Sequence, residues 1–263
     1  MSKKPLILLL CFFLFSVSAL ADEWNKTYQV GNNPTLHVDT NDASIEVTRG
    51  VSNTIYAHIL TEGVSIGSSG VRVTDRQEAD KVDLQVRVPN EWGFHFGMHR
   101  GVRIEVQVPP QAALDLHSGD GHISVTGISG QARLDTGDGH ISVQGFNGGL
   151  RGHTGDGHMS IDGVFTDLDL RTGDGHVDLT VRPGSKMNSG WLIHTSDGRV
   201  EARLPQDLAA ELYAHTGDGH IQLDMPVTVS GSIERSRVRG KLNGGGPLLE
   251  ITTGDGSIRI GKF

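Results

Sequence analysis

Cysteine, basic residues and catalytic motifs are scarce in this 263-residue chain, and each shortage excludes a class of protein. The one cysteine, Cys11, lies in an apolar N-terminal run, so the remainder of the chain has neither disulfide nor thiolate chemistry. Lys and Arg number 23 against 31 Asp and Glu, a net charge of −8 that argues against nucleic acid as a partner. The sequence contains no Gly-x-Ser-x-Gly, His-Glu-x-x-His or phosphate-loop motif, which argues against the enzyme classes that use them.

Residues 1–21 have the pattern of a secretory signal peptide. Lys3 and Lys4 precede an apolar run over residues 6–15, and Ala19-Leu20-Ala21 has the small-x-small pattern of a cleavage site before Asp22. The apolar run is too short for a membrane span. We therefore expect an exported protein without a transmembrane span in the mature chain, located in the periplasm, at the cell surface or outside the cell.

One short motif recurs through the second half of the chain: Thr or Ser, then Gly-Asp-Gly, then usually His, followed by an alternating apolar strand. Four copies stand 18 residues apart without a break, and later copies follow at wider intervals. The seven motifs begin at Ser118, Thr136, Thr154, Thr172, Thr195, Thr216 and Thr253. A fixed short period predicts that each copy is one structural unit, which buries its apolar face on its neighbours.

The unit at 132–149 reads as strand, tight turn, strand, turn. Ala132 and Leu134 alternate with charged residues before the turn, and Ile141 and Val143 alternate with polar residues after it. We expect the glycine of Asp-Gly to supply a positive φ, and the Asp carboxylate to accept backbone N–H bonds within its own turn. Glycine at these corners also suits close stacking of successive units.

Two all-β arrangements fit this unit. In a β-solenoid, or parallel β-helix, each unit is one coil of 18 residues, and equivalent residues stack about 4.8 Å apart. In an antiparallel meander or sandwich each unit is a hairpin, for which Asp-Gly is a strong indication. The near identity of successive units favours the solenoid, because stacked copies share one environment and select the same residues.

Residues 22–263 are predicted to form a single repetitive domain, with a degenerate N-terminal part at 22–115 and the Gly-Asp-Gly part at 116–263. The wide interval before the last motif is expected to hold two coils, with a worn corner at 230–233. The aromatic stretch 92–99 is expected to cover the end of the stack, because an end core must be shielded from water. An exposed contact with a partner or a membrane surface is the alternative for that stretch.

The chain resembles a bacterial exported family known as putative adhesins, a domain of unknown function of the DUF4097 type. The resemblance covers nearly the whole mature chain. It is carried by the Gly-Asp-Gly units together with the segments 40–47, 102–109, 203–205, 240–246 and 252–260. It implies an all-β, solenoid-like scaffold at the cell envelope without catalytic residues. The histidine after each corner departs from that family, in which polar or acidic residues are common there.

Stacked coils would place like residues in outward columns. One column holds the corner aspartates; a second holds the histidines that follow them, continued by His220 and interrupted by Arg199; a third lies just before each Thr or Ser. Imidazoles near carboxylates suit Zn²⁺, Cu²⁺ or Ni²⁺, so a divalent transition metal is a possible cofactor. The candidate metal ligands are His117, Asp120, His122, His140, His153, Asp156, His158, His176, His215, Asp218 and His220.

Three functions are compatible with these columns. The favoured one is a non-catalytic, adhesin-like envelope scaffold that binds an envelope polymer or a surface protein along its ladder-bearing face; the sequence leaves its oligomeric state open. The second is a metal- or pH-responsive surface, because stacked imidazoles gain charge together in mild acid. The third is a polysaccharide-active enzyme. Equivalent corner aspartates argue against it, since glycoside hydrolysis needs two carboxylates in unlike environments.

Overall fold

The computed structural model describes residues 21–89, 101–229 and 234–263, and within these ranges every regular element is a β-strand. The predicted signal peptide, the aromatic stretch 92–99 and the predicted worn corner at 230–233 lie outside the described residues, apart from Ala21. The strands are β1 (Ala21–Gln29), β2 (Thr35–Thr40), β3 (Ser44–Arg49), β4 (Thr54–Glu62), β5 (Arg72–Glu78), β6 (Lys81–Arg87), β7 (Gly101–Val108), β8 (Ala113–Ser118), β9 (Ile123–Thr126), β10 (Ser129–Thr136), β11 (Ile141–Thr154), β12 (Met159–Thr172), β13 (Val177–Val181), β14 (Trp191–Thr195), β15 (Val200–Leu204), β16 (Ala210–Thr216), β17 (Ile221–Asp224), β18 (Thr228–Val229), β19 (Arg237–Leu242), β20 (Leu248–Thr253) and β21 (Ile258–Lys262).

Successive repeats stack as parallel coils, which confirms the solenoid over the hairpin meander. Ile123 pairs with Ile141, Ile141 with Met159 and Met159 with Val177, each partner standing one repeat further along the chain. Each coil contributes a strand before its Gly-Asp-Gly corner and a strand after it, so the stack has two layers. We call them the pre-corner layer and the post-corner layer. β11 and β12 bend round the second turn and run through both layers, which joins all the strands into one sheet.

The core lies between the two layers and consists of rows of like residues. Leu116, Leu134 and Leu170 belong to one inward row, and all three are buried. Gly152 interrupts that row, where an added Cβ would lie 3.2 Å from Leu170 and 3.6 Å from the sulfur of Met159. Larger side chains, Leu170 in the adjacent coil and Met159 in the opposite layer of the same coil, therefore fill the space that Gly152 leaves, as close packing of a core requires.

The order of the coils in space differs from their order in the sequence at both ends of the stack. The last coil, β20 and β21, lies between the coil of β14 and β15 and the coil of β16 and β17. The first coil, β2 and β3, likewise lies between β8 and β9 on one side and β6 and β7 on the other. The alternating pattern is the same in every coil, so it carries no information about this order.

Antiparallel strands close the described ends of the stack. β4 pairs antiparallel with β7, and β1 with β4, so two strands cover one end of the post-corner layer. In the pre-corner layer β5 pairs antiparallel with β6, and at the opposite end β19 pairs antiparallel with β16. The expected second coil in the last interval is therefore wrong, because β18 and β19 form an antiparallel pair there instead. In the described part of the chain no helix is long and apolar enough to cross a membrane.

Candidate functional site

Each corner is closed by the hydroxyl group of its Thr or Ser, which is buried inside the turn. The Thr154 hydroxyl donates to the carbonyl oxygens of Gly139 at 2.9 Å and Gly137 at 3.1 Å, both in the preceding coil. The same oxygen accepts the N–H of Gly157 at 3.2 Å. Equivalent bonds to the neighbouring coil recur at the other six corners, from Ser118, Thr136, Thr172, Thr195, Thr216 and Thr253. The hydroxyl thus links consecutive coils at every corner.

Both corner glycines are required by the closeness of the preceding coil. A Cβ on Gly157 would lie 1.9 Å from the carbonyl oxygen of Gly139, and a Cβ on Gly155 would lie 2.8 Å from that of Gly137. Neither glycine has a positive φ. The expectation of a positive φ at Asp-Gly is therefore wrong, and the expectation of close coil stacking is confirmed.

The corner aspartates form an exposed file along the stack. Within the described residues, none of their carboxylates accepts a hydrogen bond or forms an ion pair, so the expected turn capping by Asp is replaced by the Thr hydroxyl. Burial, and then the nearby Asp120, raise the pKa of Asp42 beside this file. In spatial order the file reads Asp120, Asp138, Asp156, Asp174, Asp197, Asp255 and Asp218.

Four histidines that follow the corners form a second file, parallel to the first. The ring centroids of His122 and His140 lie 4.8 Å apart with nearly parallel planes. His140 to His158 and His158 to His176 are edge-on contacts at 5.8 Å and 5.3 Å. The predicted column is thus formed, and Arg199 and then Ser257 separate it from His220.

The histidine rings also accept backbone hydrogen bonds from the next coil. The N–H of His140 donates to Nδ1 of His122 at 3.0 Å, and the N–H of His158 donates to Nδ1 of His140 at 3.1 Å. The N–H of Arg199 donates to Nδ1 of His176 at 3.3 Å. No backbone carbonyl oxygen accepts these three N–H groups within the described chain, so the imidazole supplies the acceptor that each of them requires.

These bonds fix the tautomer of the ring and bear on the metal prediction. A neutral imidazole that accepts at Nδ1 carries its proton on Nε2. The outward Nε2 of His122, His140 and His176 then has no lone pair with which to bind a metal. Among the residues that the structure describes, no three or more His, Cys, Asp or Glu side chains are grouped to hold a metal ion. Metal binding stays a prediction. The backbone hydrogen bonds to Nδ1 in the file argue against it.

The remaining candidate histidines lie apart from one another. His117 and His153 are exposed in the pre-corner layer, with Asp135 between them in the ladder. His215 bonds to the carbonyl oxygen of Ser236 at 3.1 Å, and His220 bonds to the hydroxyl group of Ser257, also at 3.1 Å. The groupings predicted around single turns are therefore replaced by contacts between coils. Parallel pairing brings equivalent residues together more closely than a turn does.

A shallow groove on the outer side of the pre-corner layer was not predicted from the sequence. One section, about 460 Å³, has Gly149 and Ala132 in its floor and the side chains of Arg133 and Arg151 at its rim. A second section of about 490 Å³ extends over β5 and β6. Both sections are lined by Thr35 and Asp115, so they form one path across the strands, which we call the axial groove.

Two ion pairs each contribute one side chain, Arg133 or Asp169, to the lining of the axial groove. Arg133 pairs with Asp135 at 2.8 Å and Arg171 with Asp169 at 2.8 Å, both on exposed surface. Arg151 lies between them and forms no ion pair with any described residue. A guanidinium group without a partner offers up to five N–H donors to a ligand in the groove.

Three solved structures are similar to this chain in their overall course. A putative cell adhesion protein from Clostridium sporogenes is 9% identical, with 92% of this chain and all of that chain covered at a TM-score of 0.37. A putative adhesin from Parabacteroides merdae is 10% identical over 91% of this chain and 96% of its own, at a TM-score of 0.42. A putative adhesin from Bacteroides fragilis is 11% identical over 92% and 97%, at a TM-score of 0.28.

No curated protein matches this chain. A family match covers the coils described above in two overlapping stretches, residues 33–190 and 110–261. Together these stretches include every coil, the two files and the axial groove. The chain therefore belongs to the Toastrack DUF4097 family.

Proposed function

We propose that this protein is a non-catalytic, adhesin-like binding protein that holds an extended polymer in the axial groove. The observation that carries the proposal is the continuity of the groove from β5 to β14, across eight neighbouring strands of the pre-corner layer. At about 4.8 Å per strand the path is roughly 34 Å long. A path of that length suits a chain-like ligand rather than a small molecule.

The lining of the groove supports a polar ligand. Gln131, Ser189 and Arg151 offer hydrogen bonds, and Asp115 and Asp167 offer acceptors. Small residues in the floor let a polymer approach the backbone. An envelope polysaccharide or an extended segment of a surface protein has the repeated donors and acceptors that such a lining requires.

The symmetry of the corners supports binding rather than catalysis. The corner aspartates are all exposed and all lack a partner among the described residues, so no pair of carboxylates is set apart by its surroundings. Acid and base roles need carboxyl groups with unlike pKa values. The same reasoning disfavours the polysaccharide-active enzyme.

Export to the cell envelope is part of the proposal. It is supported by the signal-peptide pattern of residues 1–21. The periplasm, the cell surface and the medium all fit these features. Cell fractionation of the native bacterium distinguishes the three.

Binding is tested with the mature chain, residues 22–263, on a glycan array and in a cell-wall pull-down. Arg151→Glu and Gly149→Leu alter the groove, and each should weaken capture of the recovered ligand at least about tenfold. The matched controls are Arg103→Glu and Gln144→Leu in the post-corner layer, which should leave capture unchanged. Equal losses in both sets would remove the groove from the proposal.

A further inference from the structure

We define the histidine file as His122, His140, His158 and His176. The rings of His122, His140 and His176 complete the hydrogen bonding between coils. At the residue after each corner the carbonyl oxygen accepts from the preceding coil: the N–H of Ile123 donates to His140 and that of Ile141 to His158, both at 2.9 Å. The N–H of the same residue points to the preceding imidazole instead. The rings of the file therefore take part in the hydrogen bonding between strands and are not only exposed surface groups.

Protonation is incompatible with this arrangement. A second proton on the imidazole goes to Nδ1, the one ring nitrogen with a free lone pair, and turns the acceptor into a donor. Two donors then face each other between the coils, and the ring centroids of adjacent cations lie 4.8–5.8 Å apart. Both effects oppose the stacked state.

We propose that the histidine file is an acid-sensitive link, and that its protonation loosens the stack between the coils that carry His122 and Arg199. The link acts on the fold and is independent of any ligand in the axial groove. Since the rings carry their neutral proton on Nε2, the proposal does not involve a metal.

The charged groups around the file do not neutralise this effect. Asp178 lies 3.5 Å from Nε2 of His158, but it also faces Arg199 at 3.9 Å. Glu46 stands in the neighbouring row at one end of the file and Glu201 in that row at the other. The corner aspartates lie exposed beside the file, and their contribution is screened by solvent and salt.

The pKa of His158 has the direction that the link requires. Burial lowers it, and the neighbouring His176 and His140 lower it further, while Asp178 acts in the opposite sense. A histidine that binds its proton less tightly in the folded state favours folding above its unfolded pKa of about 6.5. That contribution is lost as the pH falls from this value through the folded-state pKa.

The test compares two pairs of substitutions in urea unfolding between about pH 7.5 and about pH 5.5. His122→Asn with His140→Asn keeps an acceptor next to the backbone and removes the titration. The control, His117→Asn with His153→Asn, removes two exposed histidines that accept no backbone N–H within the described chain. Acidification should raise the unfolding constant of the wild type and of the control about tenfold more than that of the file variant. The same pH dependence in all three proteins would overturn the proposal.

A second measurement on the wild type covers the case in which the file variant fails to fold. Long-range ¹H–¹⁵N spectra should show His122, His140 and His176 protonated at Nε2 near neutral pH. On acidification, the amides of His140, His158 and Arg199 should lose protection from hydrogen exchange as the rings become charged. An Nδ1–H tautomer, or charging of the rings with no change at those amides, would contradict the link.

Discussion

At the scale of single residues, every position of the corner motif except Asp has its own contact in a neighbouring coil. Thr bonds to two carbonyl oxygens, both glycines lie against backbone, and His accepts an N–H. Asp is the exception, since among the described residues its side chain has no partner. The Thr and both glycines recur in nearly every repeat because each of them contacts the preceding coil.

Replacing a corner glycine by alanine should destabilise the fold strongly. In Gly157→Ala the new Cβ would lie 1.9 Å from the carbonyl oxygen of Gly139, which is backbone and cannot give way as the end of a flexible side chain can. We expect a loss of about 3 kcal/mol or more in the free energy of unfolding, measured in urea. Gly261→Ala is the control, because its nearest neighbour is at 3.8 Å. A similar loss in both variants would contradict close stacking as the cause.

Removing the corner hydroxyl should cost stability even when the shape is kept. Thr154→Val leaves two carbonyl oxygens and the N–H of Gly157 without this partner in a buried turn. The expected loss is about 1–3 kcal/mol in urea unfolding. Thr154→Ser keeps the hydroxyl group, as Ser118 does in its own coil, and should retain most of the stability. A valine variant as stable as the wild type would refute this role.

At the scale of the elements, the file of corner aspartates opposes the stacking of the coils. Adjacent carboxylates repeat at about 4.8 Å, the spacing between strands. Asp138→Asn should therefore stabilise the protein by about 0.5 kcal/mol at low salt. Asp162→Asn is the control, since Asp162 forms an ion pair with Arg182 at 2.8 Å and its loss should bring no gain.

Salt distinguishes charge repulsion from any other effect of Asp138→Asn. The screening length falls from about 10 Å at 0.1 M to about 3 Å at 1 M ionic strength, so the gain should shrink at high salt. An equal gain at both ionic strengths would assign the effect to the shape of the turn.

The alternation of apolar residues was sufficient to predict the strands and the coils, because burial selects the same period in every repeat. It could not predict that β4, β5 and β19 run antiparallel, since the alternation is the same in both directions. The corner backbone was mispredicted for a related reason. Asp-Gly commonly marks a positive φ, but here contact with the preceding coil sets the need for glycine.

At the scale of the whole molecule, the last coil holds two earlier coils together. A chain that ends at Pro247 lacks β20 and β21, which leaves β14 paired only with β12 and β16 paired only with β19, each with one open edge. We expect residues 210–229 to become sensitive to limited proteolysis and the thermal transition to broaden. A chain that begins at Val30 is the control, because β1 is mostly exposed and its described pairing is with β4 alone. Equal resistance of the two truncated chains would contradict this role.

The two files could be predicted from the sequence, whereas the axial groove could not. The files follow from the repeat itself, so their members could be named before the fold was known. The groove depends on unlike residues in register, with Gly149 beside Gln131 and Asp167. The backbone bonds to His122 and His140 were equally hidden, because they depend on which N–H the corner leaves out of the ladder.

The insertion of the C-terminal coil between two earlier ones has a consequence for biogenesis. A polypeptide that leaves the ribosome, or crosses a membrane, from its N-terminus could assemble the middle of this stack progressively. It could not finish, because the slot beside Trp191–Leu204 stays empty until the final strands arrive. Closure of the scaffold therefore waits for β20 and β21, and a nascent chain halted before these strands would expose two unpaired edges to chaperones and proteases.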